Sequence, residues 1–203
     1  KKKSVGTNPA TSTALETENF EYNIRGWMLG MNRDYAKDLN TTNYFGFDLG
    51  YDKANNSIVG NQLYSNPQYN GNIEGMVWKS KGDGEKRKYD FSYDAANRLL
   101  AADFNQYSSG SFNKTALFDF SVSNMSYDAN GNILTMNQKG WKIGGSVMID
   151  QLTYNYIAGS NKLLNVIDAA NDAQTKLGDF RTSSLSPNQV KNSSTVDYTY
   201  DAN

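Results

Sequence analysis

One short segment recurs along this chain and constrains its fold more than any other feature. Tyr127-Asp-Ala-Asn-Gly-Asn-Ile-Leu-Thr-Met136-Asn137 aligns without a gap with Tyr22-Asn-Ile-Arg-Gly-Trp-Met-Leu-Gly-Met31-Asn32. In both segments Asp or Asn follows the tyrosine, and Gly lies four residues after it, at Gly131 and Gly26. An apolar residue then returns at the sixth position and Met at the ninth. A recurring unit of this kind predicts a repeated supersecondary structure.

Further copies of the segment differ mainly in their turns. The copies are Tyr93-Asp94 to Asp103 with Asn97 in place of Gly, Tyr69-Asn70-Gly71 with a shorter turn, Tyr156 to Leu163 with a longer turn, and the opening Tyr200-Asp201-Ala202-Asn203. Tyr51-Asp52 is interpreted as a degenerate copy. The last copy stops inside the motif, so we interpret the chain as truncated at its C-terminal end.

Each copy has the pattern of a β-hairpin. Alternating apolar and polar residues precede the tyrosine, as in Met125-Ser-Tyr127, and a second alternating stretch follows the turn. Asn-Gly pairs such as Asn130-Gly131 favour the two-residue primed turns that match the twist of a hairpin. Asp128 and its equivalents, Asp94 and Asp201, are predicted to accept hydrogen bonds from backbone N–H groups of the turn.

A longer hairpin is predicted to join Ile73–Lys81 to Lys86–Tyr93 through Gly82-Asp83-Gly84. Basic residues flank this turn on both sides, and they offer a patch for an anionic partner. The simpler interpretation is a solvated hairpin tip whose charge Asp83 and Glu85 partly offset, and we favour it.

The composition supports an all-β fold. The 203 residues include 26 Asn, 17 Gly and 14 Tyr, and only 38% of residues are hydrophobic. Asn and Gly collect in tight turns, whereas Tyr favours strands, where its hydroxyl stays in water. The chain is therefore predicted to form one twisted, curved antiparallel sheet of repeated hairpins over residues 18–203. Residues 1–17 are predicted to be an extended or disordered lead-in.

The repeats resemble the YD repeats of the RHS family. The strongest matches are Tyr127-Asp-Ala-Asn-Gly-Asn, Tyr93-Asp-Ala-Ala-Asn-Arg-Leu and Tyr200-Asp-Ala-Asn. The segments at Tyr22 and Tyr69 resemble those that precede the core region of such proteins from Bacteroidetes-type bacteria. The resemblance covers roughly residues 18–203. Several copies of the motif, each with turn-forming residues and flanking alternating stretches, are more specific evidence for the resemblance than a single copy.

Membership of that family implies a secreted or cell-surface bacterial protein whose repeats wind into a hollow β-sheet shell. In many members the shell encloses a C-terminal toxin, and wall-associated relatives are proposed to bind carbohydrate. The resemblance therefore implies two partners for this segment: the rest of its own shell and an enclosed C-terminal domain. The family's self-cleaving core carries Asp-Pro motifs. This sequence has no Asp-Pro dipeptide, so self-cleavage is not carried over.

Catalysis has little support in the sequence. The chain has no His and no Cys, which excludes Ser-His-Asp and Cys-His arrangements and zinc sites built from those ligands. A calcium loop begun at Asp128 needs Gly at its sixth position and Glu at its twelfth, but Ile133 and Lys139 stand there. We therefore expect neither an enzyme nor a cofactor. A net charge of −1 argues against nucleic acid as a partner.

The aromatic residues give the one alternative to a purely structural role. Trp27, Trp78 and Trp141 offer flat apolar faces on which sugar rings can stack. The competing interpretation is that these rings pack inside the sheet, and we favour it. The leading expectation is thus a non-catalytic shell segment, and the alternative is a carbohydrate-binding surface module. Unpaired strand edges further predict edge-to-edge self-association, and no apolar run is long enough for a membrane helix.

Overall fold

The fold is all-β, as the repeat predicts. A computed structural model describes residues 1–52, 64–170, 180 and 191–201. The first strands are β1 (Lys2–Val5), β2 (Glu16–Tyr22), β3 (Met28–Met31), β4 (Phe45–Gly50), β5 (Gly75–Ser80) and β6 (Lys86–Tyr93), and one short helix, α1 (Arg33–Ala36), follows β3. The later strands are β7 (Leu99–Ser108), β8 (Ser111–Asn113), β9 (Val122–Tyr127), β10 (Ile133–Lys142), β11 (Gly145–Tyr156) and β12 (Leu163–Asp168).

The strands follow one another in the sheet in the order in which they occur in the chain, and β8 alone lies off this path, beside β7. The strand pairings among the described residues are antiparallel, for example β4 with β5 and β10 with β11. The predicted antiparallel sheet of successive hairpins is therefore confirmed. In the part of the chain that is described, no helix is long and apolar enough to cross a membrane.

The chain forms two compact units, Lys1–Ser92 with Phe104–Ala116, and Tyr93–Asp103 with Leu117–Asn203. Composition gave no sign of this division because both units are built from the same hairpin. Residues 1–17, for which an extended or disordered lead-in was expected, include the extended strand β1, and β1 pairs with the start of β2.

The first unit has a small core beside a pair of glycines. Gly50 on β4 lies opposite Gly75 on β5, and the ring of Tyr64 occupies the space that two side chains would otherwise fill. Tyr64 is 5% exposed and donates a hydrogen bond to the Asp48 carbonyl at 3.0 Å. Val77 is fully buried beside it. Two glycines thus create a slot that a single aromatic ring closes.

Aromatic rings form a second packed group in the same unit. The rings of Trp78 and Tyr89 stack with their centroids 5.4 Å apart, and Phe104, which is 1% exposed, lies against both of them. Such aromatic contacts contribute stability beyond the area that they bury. The second unit has a more aliphatic core, with Ile149 and Leu152 of β11 both buried.

The Tyr69 copy is not a hairpin, which corrects the sequence interpretation. Tyr69 lies outside every described strand and is 73% exposed. The strand β5 that follows Gly71 pairs with β4, and the described residues 64–74 before it contain no strand. Gly71 still has a positive φ of 98°, and it packs against the Trp27 ring. The Asn-Gly pair therefore marks a bend inside a long connection, because local turn chemistry does not require strands on either side.

The long hairpin predicted around Gly82-Asp83-Gly84 is present as β5 and β6. Four of the five basic side chains that flank its turn form ion pairs with three carboxylates. Lys79 and Lys86 both bond Asp38. Arg87 bonds Asp83 at 2.6 Å and Lys88 bonds Asp90 at 2.7 Å. These pairs favour the interpretation without an anionic partner.

Candidate functional site: the tyrosine joints between hairpins

In three copies of the repeat, the turn is closed by the acidic or amide residue that follows the tyrosine. Oδ1 of Asp128 accepts hydrogen bonds from the N–H groups of Asn130 and Asn132, both at 2.9 Å. Oδ1 of Asp94 accepts the equivalent bonds from Ala96 and Arg98, also at 2.9 Å. Asn23 does the same for Arg25 and Trp27. The predicted side-chain-to-backbone bonds are confirmed at Asp128 and Asp94, and at Asp201 they stay a prediction.

The turn type differs from the primed turns expected from the Asn-Gly pairs. The N–H of Gly131 donates to the Asp128 carbonyl, and only Gly131, not Asn130, has a positive φ, of 88°. This geometry is typical of a type I turn followed by one left-handed residue. Asn97 takes that position in the Tyr93 copy with φ 65°, which Asn tolerates better than most residues. The side chain of Asp128 explains why this turn forms in place of a two-residue primed turn, because the hydrogen bonds that it accepts organise a longer loop.

Four tyrosine hydroxyls connect their copy of the repeat to the hairpin before it. In each case the hydroxyl donates to the backbone carbonyl of the first residue of the preceding hairpin's return strand. We name this contact a tyrosine joint. The joints are Tyr51 to Met28 at 2.8 Å, Tyr127 to Leu99 at 2.6 Å, Tyr156 to Ile133 at 2.8 Å and Tyr200 to Leu163 at 2.8 Å.

A second contact accompanies three of these joints. The residue just before the return strand covers the ring of the incoming tyrosine: Trp27 lies 5.3 Å from Tyr51 between ring centroids, the Arg98 guanidinium lies 4.7 Å from the Tyr127 centroid, and the Lys162 ammonium lies 5.3 Å from that of Tyr200. Aromatic and cation–π contacts of this kind each contribute about 0.5–1.5 kcal/mol. A joint therefore combines a hydrogen bond with a covered ring.

The joint of Tyr156 uses an amide network instead. Asn132 stands before its return strand, and its Nδ2 donates to Asp128 at 2.7 Å and to Asn161 at 2.8 Å. Asn130 also donates to Asn161, at 3.0 Å. Asn161 belongs to the turn of the following hairpin, so these bonds link two successive turns directly.

Arg98 shows how one side chain can connect a turn with the next repeat. Its Nε bonds Asp94 within its own turn at 2.6 Å, and its Nη1 donates to the Asp128 carbonyl of the next turn at 2.9 Å. The same guanidinium covers the Tyr127 ring. Arg98 thus uses two side-chain donors and a flat cation at one joint, which a lysine could not match.

The tyrosine hydroxyls are held as hydrogen-bond donors. Burial raises the pKa of Tyr51, of Tyr127 and of Tyr156 above the usual value of a phenol. Tyr51 is only 7% exposed. Since ionisation would remove the proton that the hydroxyl donates, the raised pKa keeps these three joints intact at neutral and mildly alkaline pH.

Sequence reasoning named the tyrosines but missed what their hydroxyls do. It expected the hydroxyls to remain in water, whereas four of them bond a backbone carbonyl. The degenerate copy Tyr51-Asp52 makes a full joint, while Tyr69, which looks closer to the motif, is exposed. The signal that separates them is the strand that precedes the tyrosine, because Tyr51 directly follows β4.

The three tryptophans have different surroundings. Trp27 lies between Tyr51 and the Arg25 guanidinium, and Trp78 stacks on Tyr89. Trp141 is 40% exposed near the tip of the β10–β11 hairpin, and its ring lies 5.7 Å from Phe118. Trp141 is therefore the tryptophan with the most accessible surface of the three.

Within the residues that the structure describes, no group of three or more acidic side chains is arranged to hold a metal ion. Asp94 and Asp128 bond backbone amides, as described above, so their oxygens are already used by the fold. Neither the protein-family models nor the curated proteins with which the sequence was compared gave a match. The geometry by itself defines a protein of repeated β-hairpins that tyrosine joints connect.

Removing one joint hydroxyl is expected to lower the stability of the second unit measurably. Tyr156→Phe deletes the bond to Ile133 and leaves a backbone carbonyl without that donor, so we expect a loss of about 1 kcal/mol in the free energy of unfolding. Urea unfolding followed by circular dichroism measures it.

Tyr154→Phe is the matched control for this change. Tyr154 lies two residues earlier on β11, and its hydroxyl has no hydrogen-bond partner among the described residues. We expect this variant to unfold within about 0.5 kcal/mol of the wild type. Equal losses in both variants would show that removing any β11 tyrosine hydroxyl has this effect and that the joint bond is not its cause.

The repeat turns are expected to make the protein sensitive to acid. The Arg98 amide lowers the pKa of Asp94, and the side chain of Asn132 lowers that of Asp128. A carboxylate with a lowered native pKa stabilises the fold fully above its unfolded pKa of about 4, and this contribution disappears as the pH falls through the native value.

The double variant Asp94→Asn, Asp128→Asn is therefore expected to unfold with a shallower dependence on pH below about pH 4. Asn23 shows that an amide can close the same turn, so the variant should fold. The midpoint of thermal unfolding across the acid range is the measurement. Asp34→Asn, which changes an exposed carboxylate of α1, serves as control. If the unfolding midpoint of the double variant fell with decreasing pH as steeply as that of the wild type, Asp94 and Asp128 would not be the cause of the acid sensitivity.

Proposed function

We propose that this chain is a non-catalytic wall segment of a secreted or cell-surface RHS-type protein, in which successive hairpins build a β-sheet shell around a C-terminal effector. The observation that carries the proposal is the repeated tyrosine joint. Three consecutive joints in the second unit, at Tyr127, Tyr156 and Tyr200, have the same donor and the same kind of acceptor.

A joint of this kind suits a wall better than a ligand site. The polar atoms of the motif form contacts between neighbouring hairpins, through side-chain-to-backbone hydrogen bonds such as that of Tyr127 to Leu99. Repeat proteins gain their stability from such nearest-neighbour contacts. The resemblance to YD repeats supplies the remaining parts of the proposal: the bacterial surface location and the enclosed effector.

The test uses the complete protein of which this chain is part. If the repeats enclose a C-terminal domain, limited proteolysis should leave that domain intact in the wild type. The double variant Tyr127→Phe, Tyr156→Phe loosens two joints and should make the domain accessible, whereas Tyr154→Phe should not. A C-terminal region cleaved equally fast in the wild type and both variants would overturn the shell role.

A second candidate function is glycan binding at the exposed tip of the β10–β11 hairpin. The observation that favours it is Trp141, whose ring lies against Phe118 while 40% of the residue is exposed. An indole held on one side and open on the other can stack on the apolar face of a sugar. Trp27 and Trp78 are packed by other side chains, so the candidate rests on Trp141 alone.

A glycan array probed with the wild type and with Trp141→Ala tests this candidate. We expect binding to cell-wall or host glycans that the variant loses. Ile143→Thr, which changes a neighbouring side chain that is 93% exposed, should retain it. No glycan bound by the wild type, or equal binding by Trp141→Ala, would exclude the site.

Edge-to-edge self-association stays a prediction. One edge is already partly occupied, because the N–H of Asp197 donates to the Leu164 carbonyl of β12 at 3.0 Å. The buried Nδ2 of Asn165 holds the same segment by donating to the Asn192 carbonyl at 3.2 Å. At the other end, β1 carries Lys2 and Lys3, and such charges discourage strand addition. Small-angle scattering across a concentration series will show whether the chain associates.

A further inference from the structure

A polar cleft lies in the first unit, beside the start of β2. Its volume is ≈ 280 Å³. It is lined by two short stretches of chain, comprising Ala14, Leu15, Glu16, Thr17 and Asn19 on one side and Asn40, Thr42 and Asn43 on the other. All but two of these side chains carry a hydroxyl, an amide or a carboxylate, and Glu16 is the only charged one. The repeat motif, the turns and the tyrosine joints use none of them.

Glu16 is held rigidly in the wall of this cleft. Its Oε1 accepts hydrogen bonds from the Tyr44 N–H at 2.9 Å, from Nδ2 of Asn43 at 3.3 Å and from Nδ2 of Asn32 at 3.5 Å. Asn43 is 7% exposed and also bonds the Thr17 carbonyl at 3.2 Å. Three donors on one oxygen fix the orientation of the carboxylate before any ligand arrives, which lowers the cost of binding.

Several polar groups of the cleft are not used by the fold. Within the described part of the chain, Oε2 of Glu16, the side-chain amide of Asn19 and the hydroxyl of Thr17 have no hydrogen-bond partner. Asn19 contributes to the fold through its backbone N–H, which donates to Asn32. The cleft thus presents a fixed carboxylate oxygen, an amide and a hydroxyl that water or a ligand can bond.

We propose that this cleft binds a neutral polyhydroxyl ligand of about the size of one sugar ring. Oε2 of Glu16 accepts from ligand hydroxyls, the Asn19 amide both donates and accepts, and Leu15, which is 61% exposed, offers an apolar edge for C–H groups. A carboxylate repels anions such as phosphates. Neutral hydroxyl groups match this mixture of donors and acceptors, and a volume just below the usual range for drug-sized ligands suits one ring.

This inference is independent of the shell role and uses different residues from the Trp141 candidate. Titration calorimetry and saturation-transfer NMR with glucose, galactose, mannose, N-acetylglucosamine and sorbitol test it on the full chain. Glu16→Gln keeps Oε1 for its three donors but replaces Oε2 with a donor, and Asn19→Ala removes only the side chain that the fold does not use. We expect each variant to bind the preferred compound at least about tenfold more weakly, with unchanged thermal unfolding.

Trp141→Ala is the control and should bind like the wild type. Loss of binding in Trp141→Ala with retention in Glu16→Gln and Asn19→Ala would overturn the cleft and favour the hairpin tip. Wild-type protein that binds none of the five compounds at tens of millimolar would also overturn it. Neither outcome bears on the tyrosine joints, so the shell role is tested separately.

Discussion

Replacing Gly75 with alanine is expected to destabilise the first unit by about 3 kcal/mol, because the new methyl group has no space. It would overlap the Tyr64 ring and lie 2.6 Å from the Tyr89 carbonyl oxygen. Neither neighbour can move easily. Tyr64 is buried and bonded to the Asp48 carbonyl, and the Tyr89 carbonyl belongs to the adjoining strand β6.

Gly82→Ala is the matched control within the same unit. A methyl group at Gly82 would meet only Oγ of Ser80, at an ordinary distance of 3.6 Å, so its effect should stay within about 0.5 kcal/mol. Urea unfolding followed by tryptophan fluorescence reports on the unit through Trp78. If Gly75→Ala were as stable as Gly82→Ala, Tyr64 could not occupy the slot between the two glycines.

Replacing Glu74 with glutamine is expected to stabilise the protein above neutral pH. Glu74 is fully buried, and neither of its carboxylate oxygens has a hydrogen-bond partner within the described residues. Burial, followed by the charges of Asp52, Asp90 and Asp48, raises its pKa to about 7. A carboxyl group whose native pKa exceeds its unfolded value costs nothing below about pH 4.5, and its cost grows up to about pH 7 and then stays constant.

The gain from Glu74→Gln should therefore depend on pH. We expect about 2 kcal/mol at about pH 8 and no gain at about pH 4, since the protonated acid and the amide are both neutral. Chemical unfolding at both pH values measures it. Glu18 forms a surface ion pair with Lys3, and Glu18→Gln should show no stability gain that appears only at the higher pH. A gain of equal size at both pH values would point to packing instead of charge.

The hairpins could be predicted from the sequence because their information is local. An acceptor after the tyrosine and a residue that tolerates positive φ lie within four positions of each other, as in Asp128 and Gly131. The same local signal was misleading at Asn70-Gly71, where a bend occurs inside a connection. A turn motif predicts a change of direction, and strands on both sides are a separate requirement.

The tyrosine joints could not be predicted because they connect residues far apart in the chain. Tyr156 lies 23 residues from Ile133, and Tyr200 lies 37 residues from Leu163. Motif spacing alone does not say which carbonyl a hydroxyl will reach. The core of the first unit was equally hidden, since Tyr64 lies outside the repeat, and Tyr64 and Glu74 acquire their roles only when β4 pairs with β5.

Because the same tyrosine joint recurs, the number of residues between two successive joints can vary. Successive joint tyrosines are separated by 29 residues from Tyr127 to Tyr156 and by 44 from Tyr156 to Tyr200, yet each hydroxyl meets the same kind of acceptor. Insertions and deletions in the intervening loops are therefore expected to accumulate without disturbing the alignment of the hairpins. A surface exposed to a changing environment could diversify its loops in this way while its framework stays the same.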